Sequence, residues 1–371
     1  MNHFIILILS FLFIPLSALG FVENVTHGYP SCIACHYSPT GGDMLTDYGR
    51  SLSSELMSTW SGYKGMEEPL FGAVKNTENI KLGGDFRRIQ TWLDNDQVSQ
   101  GSSFVMQSNF ELGLIYDKVM FVGALGVQEG PDNFPRRGQF LSERHYVLWE
   151  TSPTSRLRAG KFRLRYGIND PNHNRLIKRL FNFGYLSEAY NLEYTHYNQN
   201  YEVSVSSSAG RIDNPRVNSS EKALTTSFVH YLGGESRLGG SVLLGESTTK
   251  RRFLSGLFGV LKFSEHWLGE FELDRETAHF ASSVSDEVET VASLLKLGHK
   301  TFKGFFWYAL FEHSTQNSVS GHTGSHAPGI GIQWLPVPHL EIQLEYQRSV
   351  VSGSSGNPNH VGFLMFHMYP F

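Results

Sequence analysis

Segments of about ten residues that alternate apolar and polar side chains recur from Ile80 to the end of this chain. In the clearest segment, residues 340–348, the side chains of Leu340, Ile342 and Leu344 fall on one side of an extended backbone. The residues between them are acidic or amides, so the other side is polar. Strict alternation predicts strands of a sheet that has one apolar and one polar face.

The segments number about sixteen, and an even count is typical of bacterial outer-membrane β-barrels. Their predicted first residues are 80, 103, 119, 140, 155, 189, 201, 222, 236, 250, 267, 288, 304, 325, 340 and 360. Tight connections, such as Asp117-Lys118, alternate with longer ones, such as residues 167–187, although residues 247–249 are short where a long loop is due. This alternation indicates a barrel, whereas the alternative, a soluble β-sandwich, does not sort its loops by length.

Composition agrees with a barrel and argues against a helical membrane protein. The mean hydropathy is −0.24, and spanning helices need runs of about 18 or more apolar residues. The 31 basic and 35 acidic residues create no basic field, so we expect no nucleic-acid partner. We predict an all-β, transmembrane, antiparallel up-and-down barrel over residues 80–371, with the lipid bilayer of a Gram-negative-type outer membrane as its partner.

The first residues of the chain resemble an export signal. Residues 4–17 are almost wholly apolar and are followed by Ala18-Leu19-Gly20, small residues at the positions that a signal peptidase reads. We predict a signal peptide over residues 1–20. A retained N-terminal anchor is the alternative, because only His3, and no Lys or Arg, precedes the apolar run.

Both cysteines of the chain fall in one motif, Cys32-Ile33-Ala34-Cys35-His36. C-x-x-C-H is the attachment pattern of a c-type haem, in which the two thiols bind the haem covalently and the histidine ligates the iron. The alternatives are a redox-active disulfide, which lacks a βαβ context, and half of a zinc site, which lacks a second cysteine pair. We predict one covalent haem c on Cys32 and Cys35, with His36 as an axial ligand.

The sixth iron ligand has two main candidates, His27 and Met44. We favour His27, because Met44 could pack against the porphyrin instead, and an exposed His27 without any metal is the alternative. The pattern of residues 45–60 predicts a short helix that covers the haem.

We call residues 21–79 the N-terminal segment. It holds three basic and seven acidic residues and therefore carries the whole net charge of −4.

A basic stretch points to a pore constriction. Residues 167–187 form the third long connection, and we expect a bulge at Ala159-Gly160 in the strand before it. The basic side chains of the strand alternate with apolar ones and should face the lumen, where a ring of cations favours anions. Alternatively, these cations are counter-ions of lumen carboxylates such as Glu270 and Glu272, or they lie at the outer rim of the barrel. The predicted constriction residues are Arg158, Arg163, Arg165, His173, Arg175, Lys178 and Arg179.

The chain resembles porin-like outer-membrane proteins that carry an N-terminal monohaem cytochrome c segment and, more loosely, porin–cytochrome electron conduits. The resemblance rests on residues 32–36, on Ser38-Pro39-x-Gly41-Gly42, on Tyr48-Gly49-Arg50, on the barrel pattern and on the terminal Phe371. It covers the whole chain in architecture but only residues 32–50 by motif. The conduits carry many haem motifs, whereas this chain carries one.

The resemblance implies three candidate functions. In the first, the haem lies at or inside the periplasmic mouth and takes part in electron transfer. Since the apolar band is about 25 Å tall, a periplasmic or surface cytochrome or a small-molecule shuttle would have to complete the path. In the second, the chain is a diffusion porin for small solutes with a preference for anions. Its N-terminal segment plugs the pore, gates the pore or senses the redox state. In the third, an open sixth site makes it a haem enzyme that reduces a small oxidant, so enzymatic activity stays uncertain. Analogy with general porins suggests a homotrimer.

Overall fold

The structure is a computed structural model, and it describes residues 27, 29, 31–42, 44–61, 65, 68–128, 138–184, 187–212, 220–281, 287–318, 321–352 and 357–369. The predicted signal peptide over residues 1–20 and the terminal Phe371 lie outside the described residues. None of the described helices is long and apolar enough to cross a membrane.

Sixteen antiparallel strands form one closed barrel, in which each strand pairs with its sequence neighbours and β1 pairs with β16. The strands are β1 (Ile80–Asp94), β2 (Ser99–Tyr116), β3 (Val119–Gln128), β4 (Gln139–Ser152), β5 (Ser155–Phe162), β6 (Ala189–Tyr197), β7 (Tyr201–Ser208), β8 (Lys222–Leu232), β9 (Ser236–Glu246), β10 (Lys250–Lys262), β11 (Trp267–Phe280), β12 (Glu287–Phe302), β13 (Phe305–Ser318), β14 (Gly321–Trp334), β15 (Leu340–Ser352) and β16 (Asn359–Met368). Closure pairs Phe86 with Met368 and Asp94 with His360. The predicted all-β barrel of sixteen strands is therefore confirmed.

The wall of the barrel is apolar outside and polar inside. In β15, Glu345 is 3% exposed while its neighbour Leu344 is 43% exposed, which reverses the burial pattern of a soluble sheet. The largest fully buried side chains include two arginines, Arg158 and Arg175, and the exposed side chains include Leu257 and Ile330 at 64% each. A wall of this kind places its charges in the lumen and its apolar side chains on the outer surface.

The connections sort by length only in part as predicted, because the long loops expected over residues 94–102 and 315–324 are short. One end of the barrel, the short-turn end, carries turns such as the two residues between β2 and β3 and the two between β4 and β5. The other end, the long-loop end, carries the longest connections, but three of its connections are short: four residues between β1 and β2, three between β9 and β10, and two between β13 and β14. The longest described connection runs from β5 to β6, and we call residues 163–188 the third long loop.

The predicted bulge at Ala159-Gly160 is wrong. β5 pairs with β6 in unbroken register from Ser155 to Phe162, and the irregularity against β4 lies between Glu150 and Ser152 instead. A Cβ atom at Gly160 would collide with the β4 backbone at His145. This glycine is therefore needed for close strand approach and does not mark an inserted residue.

The described part of the N-terminal segment has little regular structure. Helix α1 (Asp47–Leu52) continues into a π-helical turn (Ser53–Met57), and a short 3-10 turn follows at Pro69–Gly72. The side chain of Thr46 caps α1 by accepting a hydrogen bond from the backbone N–H of Gly49. The helix predicted over residues 45–60 is therefore present but shorter.

Candidate functional site

The N-terminal segment lies inside the short-turn end of the barrel and contacts opposite walls. On one side, Arg158 Nη1 of β5 donates a 2.7 Å hydrogen bond to Ser38 Oγ. On the other side, the backbone N–H of Thr59 donates to the carbonyl of Leu335, in the turn between β14 and β15 (2.9 Å). A segment held at both walls lies across the mouth of the lumen.

Apolar packing places the segment at a defined depth. Met44 is 1% exposed and packs against inward-facing residues of the wall. Two wall glycines make room for it, because a Cβ at Gly113 would lie 3.0 Å from the Met44 sulfur and a Cβ at Gly83 would lie 3.3 Å from its Cγ. The wall partners of Met44 in this cluster are Met120, Val122, Tyr146, Leu148 and Phe162.

Polar contacts fix the orientation of the segment. Arg156 donates to the carbonyl of Tyr37 (2.9 Å), and Lys81 on β1 forms a 2.6 Å ion pair with Asp47. The strongest anchor is Arg158, which also bonds Glu193 at 2.8 Å and lies 3.7 Å from the ring centre of Phe162. Because both members of the Arg158–Glu193 pair are 1% exposed, water contributes little to satisfying them.

The cysteine motif forms a single helical turn. The backbone N–H groups of Cys35 and His36 both donate to the carbonyl of Cys32, at 3.2 and 3.0 Å, and both thiols are free. Cys32 lines the lumen cavity described below, whereas Cys35 is 3% exposed and packs with Leu45 and Leu52. Burial raises the pKa of the Cys35 thiol to about 12.

Helix α1 packs directly on this turn. A Cβ at Gly49 would collide with the Cys35 backbone, so only glycine permits the contact. The next residue, Arg50, is 2% exposed, and its Nε and Nη1 atoms have no hydrogen-bond partner within the described structure. Burial lowers the pKa of Arg50 to about 10. The carboxylates of Asp47 and Glu68 lie near the guanidinium and partly offset this effect of burial.

The two candidate sixth ligands lie in different surroundings. Met44 packs against the barrel wall, as described above. His27 lies near charged side chains of the short-turn rim, including Lys300, Glu265 and Lys262, and burial together with these lysines lowers its pKa to about 4. Among the described residues, its buried Nε2 atom has no hydrogen-bond partner. The identity of the sixth ligand stays a prediction.

A cavity separates the N-terminal segment from the third long loop. Its volume is about 90 Å³, below the ~300–1,000 Å³ of typical cofactor sites. The residue types at positions 32–36 match a covalent haem site, but the space does not: this cavity is too small for a porphyrin, and Cys35, which packs with Leu45 and Leu52, does not line it. The cavity lining includes Cys32, Thr40, Gly41, Gly42, Arg144, Arg163, Arg165, Asn169, His173, Lys178 and Arg237.

The third long loop crosses the lumen and is tied to the far wall. Arg175 forms a bidentate pair with Glu345 of β15, with both hydrogen bonds at 2.7 Å. Helix α2 (Leu176–Arg179) follows, and the N–H of Leu176 donates to Glu312 of β13 (2.6 Å). Ile177 and Phe181 are fully buried against inward-facing Leu243, Leu254, Ala292 and Leu294. The loop therefore narrows the barrel on one side with an apolar filling.

Most of the predicted constriction cations have carboxylate partners. Arg158 and Arg175 are paired as described, Arg165 pairs with Glu202, and Lys178 lies 3.5 Å from Glu272. Sequence reasoning named Glu272 as a possible counter-ion, but it missed Glu193 and Glu202. Glu193 and Glu202 occupy alternate positions of their strands that face the lumen, and this alternation could have identified them as counter-ions.

Two of the predicted cations remain accessible. The side chain of Arg163 is 42% exposed while it bonds Glu188 at 2.7 Å, and Arg179 is exposed. His173 lies near Arg163 and Arg87, and burial together with these cations lowers its pKa to about 4. The anion preference of this constriction stays a prediction.

Comparisons with known proteins identify the fold. No protein-family model matches the chain, and no curated protein sequence matches it. Among solved structures, OmpT of Vibrio cholerae matches with a TM-score of 0.63 at 10% identity, covering 80% of this chain and 99% of that chain. The outer membrane channel DcaP of Acinetobacter baumannii matches with 0.59 at 12% identity, covering 80% and 99%.

An anion-selective porin from Comamonas acidovorans also matches, with a TM-score of 0.57 at 9% identity, covering 78% of this chain and 99% of that chain. Identities this low establish a shared fold and nothing finer. The chain therefore has the sixteen-stranded, porin-like barrel fold.

Proposed function

We propose that the chain is an outer-membrane diffusion porin for small solutes, and that its N-terminal segment closes the short-turn end of the lumen. The main support for this proposal is that Ser38 and Thr59 anchor the segment to opposite walls of the barrel. The apolar outer face and the loop inside the barrel support a pore in a bilayer. The structural neighbours, which include an outer membrane channel and an anion-selective porin, support the same class.

The proposed pore lies with its short-turn end in the periplasm, because barrels of this class keep their short turns on that side. The N-terminal segment then faces the periplasm. The cations around the cavity favour small anions, and Arg163, whose side chain lines the cavity and is 42% exposed, would contact them. One neighbour is described as a trimer form of OmpT, and we extend the proposal to a homotrimer, which cross-linking in native membranes tests.

Solute flux through the purified, full-length chain tests the pore. Proteoliposomes loaded with a chloride-sensitive dye should show slow chloride entry for the wild-type chain and faster entry for Ser38→Ala. A wild-type rate no higher than that of empty liposomes, together with no gain in Ser38→Ala, would refute the porin. Lys250→Ala is a suitable control, because it breaks the 2.6 Å pair with Glu276 on neighbouring wall strands and leaves the Ser38 anchor intact.

A second candidate function is attachment of one c-type haem. Cys32 and Cys35 would hold it by thioether bonds and His36 would ligate its iron, with His27 or Met44 as the sixth ligand. The supporting observation is the single helical turn that carries both free thiols. A bound haem supplies one-electron chemistry, and electron transfer with a partner cytochrome or shuttle is then the associated role.

Covalent haem is tested by expression in a host that matures c-type cytochromes. The chain should gain the mass of one haem, which should survive denaturation and be lost in the Cys32→Ala, Cys35→Ala double variant. Protein that emerges from such a host with both thiols free would remove the haem and with it the electron-transfer role. The porin proposal would be unaffected.

A further inference from the structure

The two thiols of the cysteine motif lie on one helical turn and within reach of each other. The backbone N–H groups of Cys35 and His36 both donate to the carbonyl of Cys32, at 3.2 and 3.0 Å. In helical geometry the Cα atoms of residues three apart are separated by about 5 Å. A disulfide bridges Cα atoms that are about 4.4–6.8 Å apart, so this turn can accept a Cys32–Cys35 bond without a rearrangement of its backbone.

The two sulfurs differ in accessibility. Cys32 is half-buried and lines the cavity between the N-terminal segment and the third long loop. Gly41 leaves room beside it, because a Cβ at this position would lie 3.2 Å from the Cys32 Sγ. Cys35 is 3% exposed and packs with Leu45 and Leu52. A reagent in the cavity therefore meets the sulfur of Cys32, and Cys35 reacts only from within the turn.

The surface that faces Cys32 across this cavity is cationic. Within the described part of the chain, five cations and one carboxylate, Asp170, line the cavity. Four of the cations also pair with carboxylates, but those carboxylates lie behind them and do not line the cavity. A cavity lined by one sign of charge concentrates ligands of the opposite sign. The cations are Arg144, Arg163, Arg165, Lys178 and Arg237, and the carboxylates behind them are Glu111, Glu188, Glu202 and Glu272.

We propose that Cys32 and Cys35 form a reversible dithiol–disulfide pair that exchanges with small disulfides bearing carboxylates. This assignment is an alternative to haem attachment, because the same two thiols cannot serve both. It rests on the proposed porin only for the route by which the disulfide reaches the cavity. The cavity of about 90 Å³ is too small for a porphyrin but accepts the sulfur-bearing end of such a molecule.

The exchange proceeds through one mixed disulfide. The Cys32 thiolate attacks the incoming disulfide, forms a bond to one of its sulfurs and releases the other as a thiolate. Cys35 then loses its proton, attacks the Cys32 sulfur and releases the second thiolate. The chain is oxidised by two electrons, and the incoming disulfide is reduced to two thiols, which take up the protons lost by Cys32 and Cys35.

Trapping of the mixed disulfide tests which sulfur reacts. Purified, full-length chain from a host without cytochrome c maturation is incubated with dithiodipropionate, a small disulfide with two carboxylates. Cys35→Ser should retain half of the probe as a mixed disulfide, whereas Cys32→Ser should stay unmodified. The wild-type chain should lose the mass of two hydrogen atoms and regain it on reduction. Equal labelling of the two variants, or wild-type thiols that stay free in excess probe, would overturn the proposal.

A matched pair of probes tests the preference for anions. Dithiodipropionate and cystamine have the same chain length and opposite charge. Folded Cys35→Ser should favour dithiodipropionate over cystamine by at least about tenfold more than the same variant unfolded in urea, because only the folded chain has the cavity. Arg163→Gln should reduce this preference severalfold. Arg275→Gln, at an exposed pair with Glu289, is the control and should retain it.

The remaining outcomes separate this proposal from the two functions proposed above. Equal preference in the folded and unfolded chain, or no change in Arg163→Gln, overturns the anionic ligand. A covalent haem on chain from a maturation-competent host overturns the dithiol pair and leaves the porin intact. Trapping at Cys32 in a chain that shows no chloride entry supports the dithiol pair and refutes only the porin. Folding of each variant is verified by its heat-dependent migration in detergent gels.

Discussion

The hydrogen bond between Ser38 and Arg158 holds the N-terminal segment in the barrel mouth, and its removal should open the pore. Ser38 is 0% exposed and Arg158 is 1% exposed, so the 2.7 Å bond is shielded from water. A hydrogen bond to a charged group contributes about 1.5–3 kcal/mol, and about 1.4 kcal/mol corresponds to a factor of ten. Ser38→Ala should therefore raise the ratio of open to closed states about 10- to 100-fold.

Planar-bilayer recordings measure this ratio directly. The wild-type chain should remain closed for most of the record, and Ser38→Ala should lengthen the open periods. Arg158→Ala should open the pore as well, but it also leaves Glu193 buried without its partner, at about 3–5 kcal/mol. Barrel stability should fall in that variant alone.

A double-mutant cycle isolates the contact. If Ser38 and Arg158 act through one bond, Ser38→Ala should add little to the opening already caused by Arg158→Ala. Fully additive effects of the two variants on opening would refute the reasoning. So would a Ser38→Ala record indistinguishable from the wild type.

Three further predictions concern the lumen and the outer wall. Burial, aided by Arg163 and Arg87, lowers the pKa of His173 to about 4. The chain should therefore lose stability as the pH falls from about 6.5 to about 4, and thermal melts of His173→Gln should show a smaller loss. Arg163→Glu should reduce the chloride-to-potassium permeability ratio severalfold in reversal-potential measurements, and an unchanged ratio would exclude Arg163 from the pore path. Leu295 is 59% exposed on the outer wall, and Leu295→Arg should cost about 2–4 kcal/mol in a bilayer. Urea unfolding in liposomes checks this value, and equal stability of Leu295→Arg and Leu295→Ala would contradict a lipid-facing position.

The barrel could be predicted from sequence because its signal is local and repeats with a period of two. The predicted starts of most strands agree with the structure to within one residue, and those of β2 and β14 lie four residues too late, at Ser103 and Ser325 rather than Ser99 and Gly321. The residues that were missed, 99–102 of β2 and 321–324 of β14, carry no large apolar side chain on either face of the strand. Alternation therefore disappears there although backbone pairing continues.

The contacts within the lumen could not be predicted in the same way. Arg158 and Ser38 are 120 residues apart, and no periodic pattern connects them. The basic stretch identified cations correctly, but the carboxylates that pair with them, such as Glu202 and Glu345, lie on other strands. Which charges meet depends on barrel closure and the path of the third long loop.

Selective removal of the N-terminal segment tests the central claim most directly. A protease site inserted in the exposed stretch from Lys75 to Glu78 would allow cleavage in proteoliposomes, followed by a mild urea wash. The account predicts slow chloride entry before cleavage and rapid entry after the segment is washed out, with the barrel intact. Equal chloride entry before and after removal would contradict a lumen closed by the N-terminal segment.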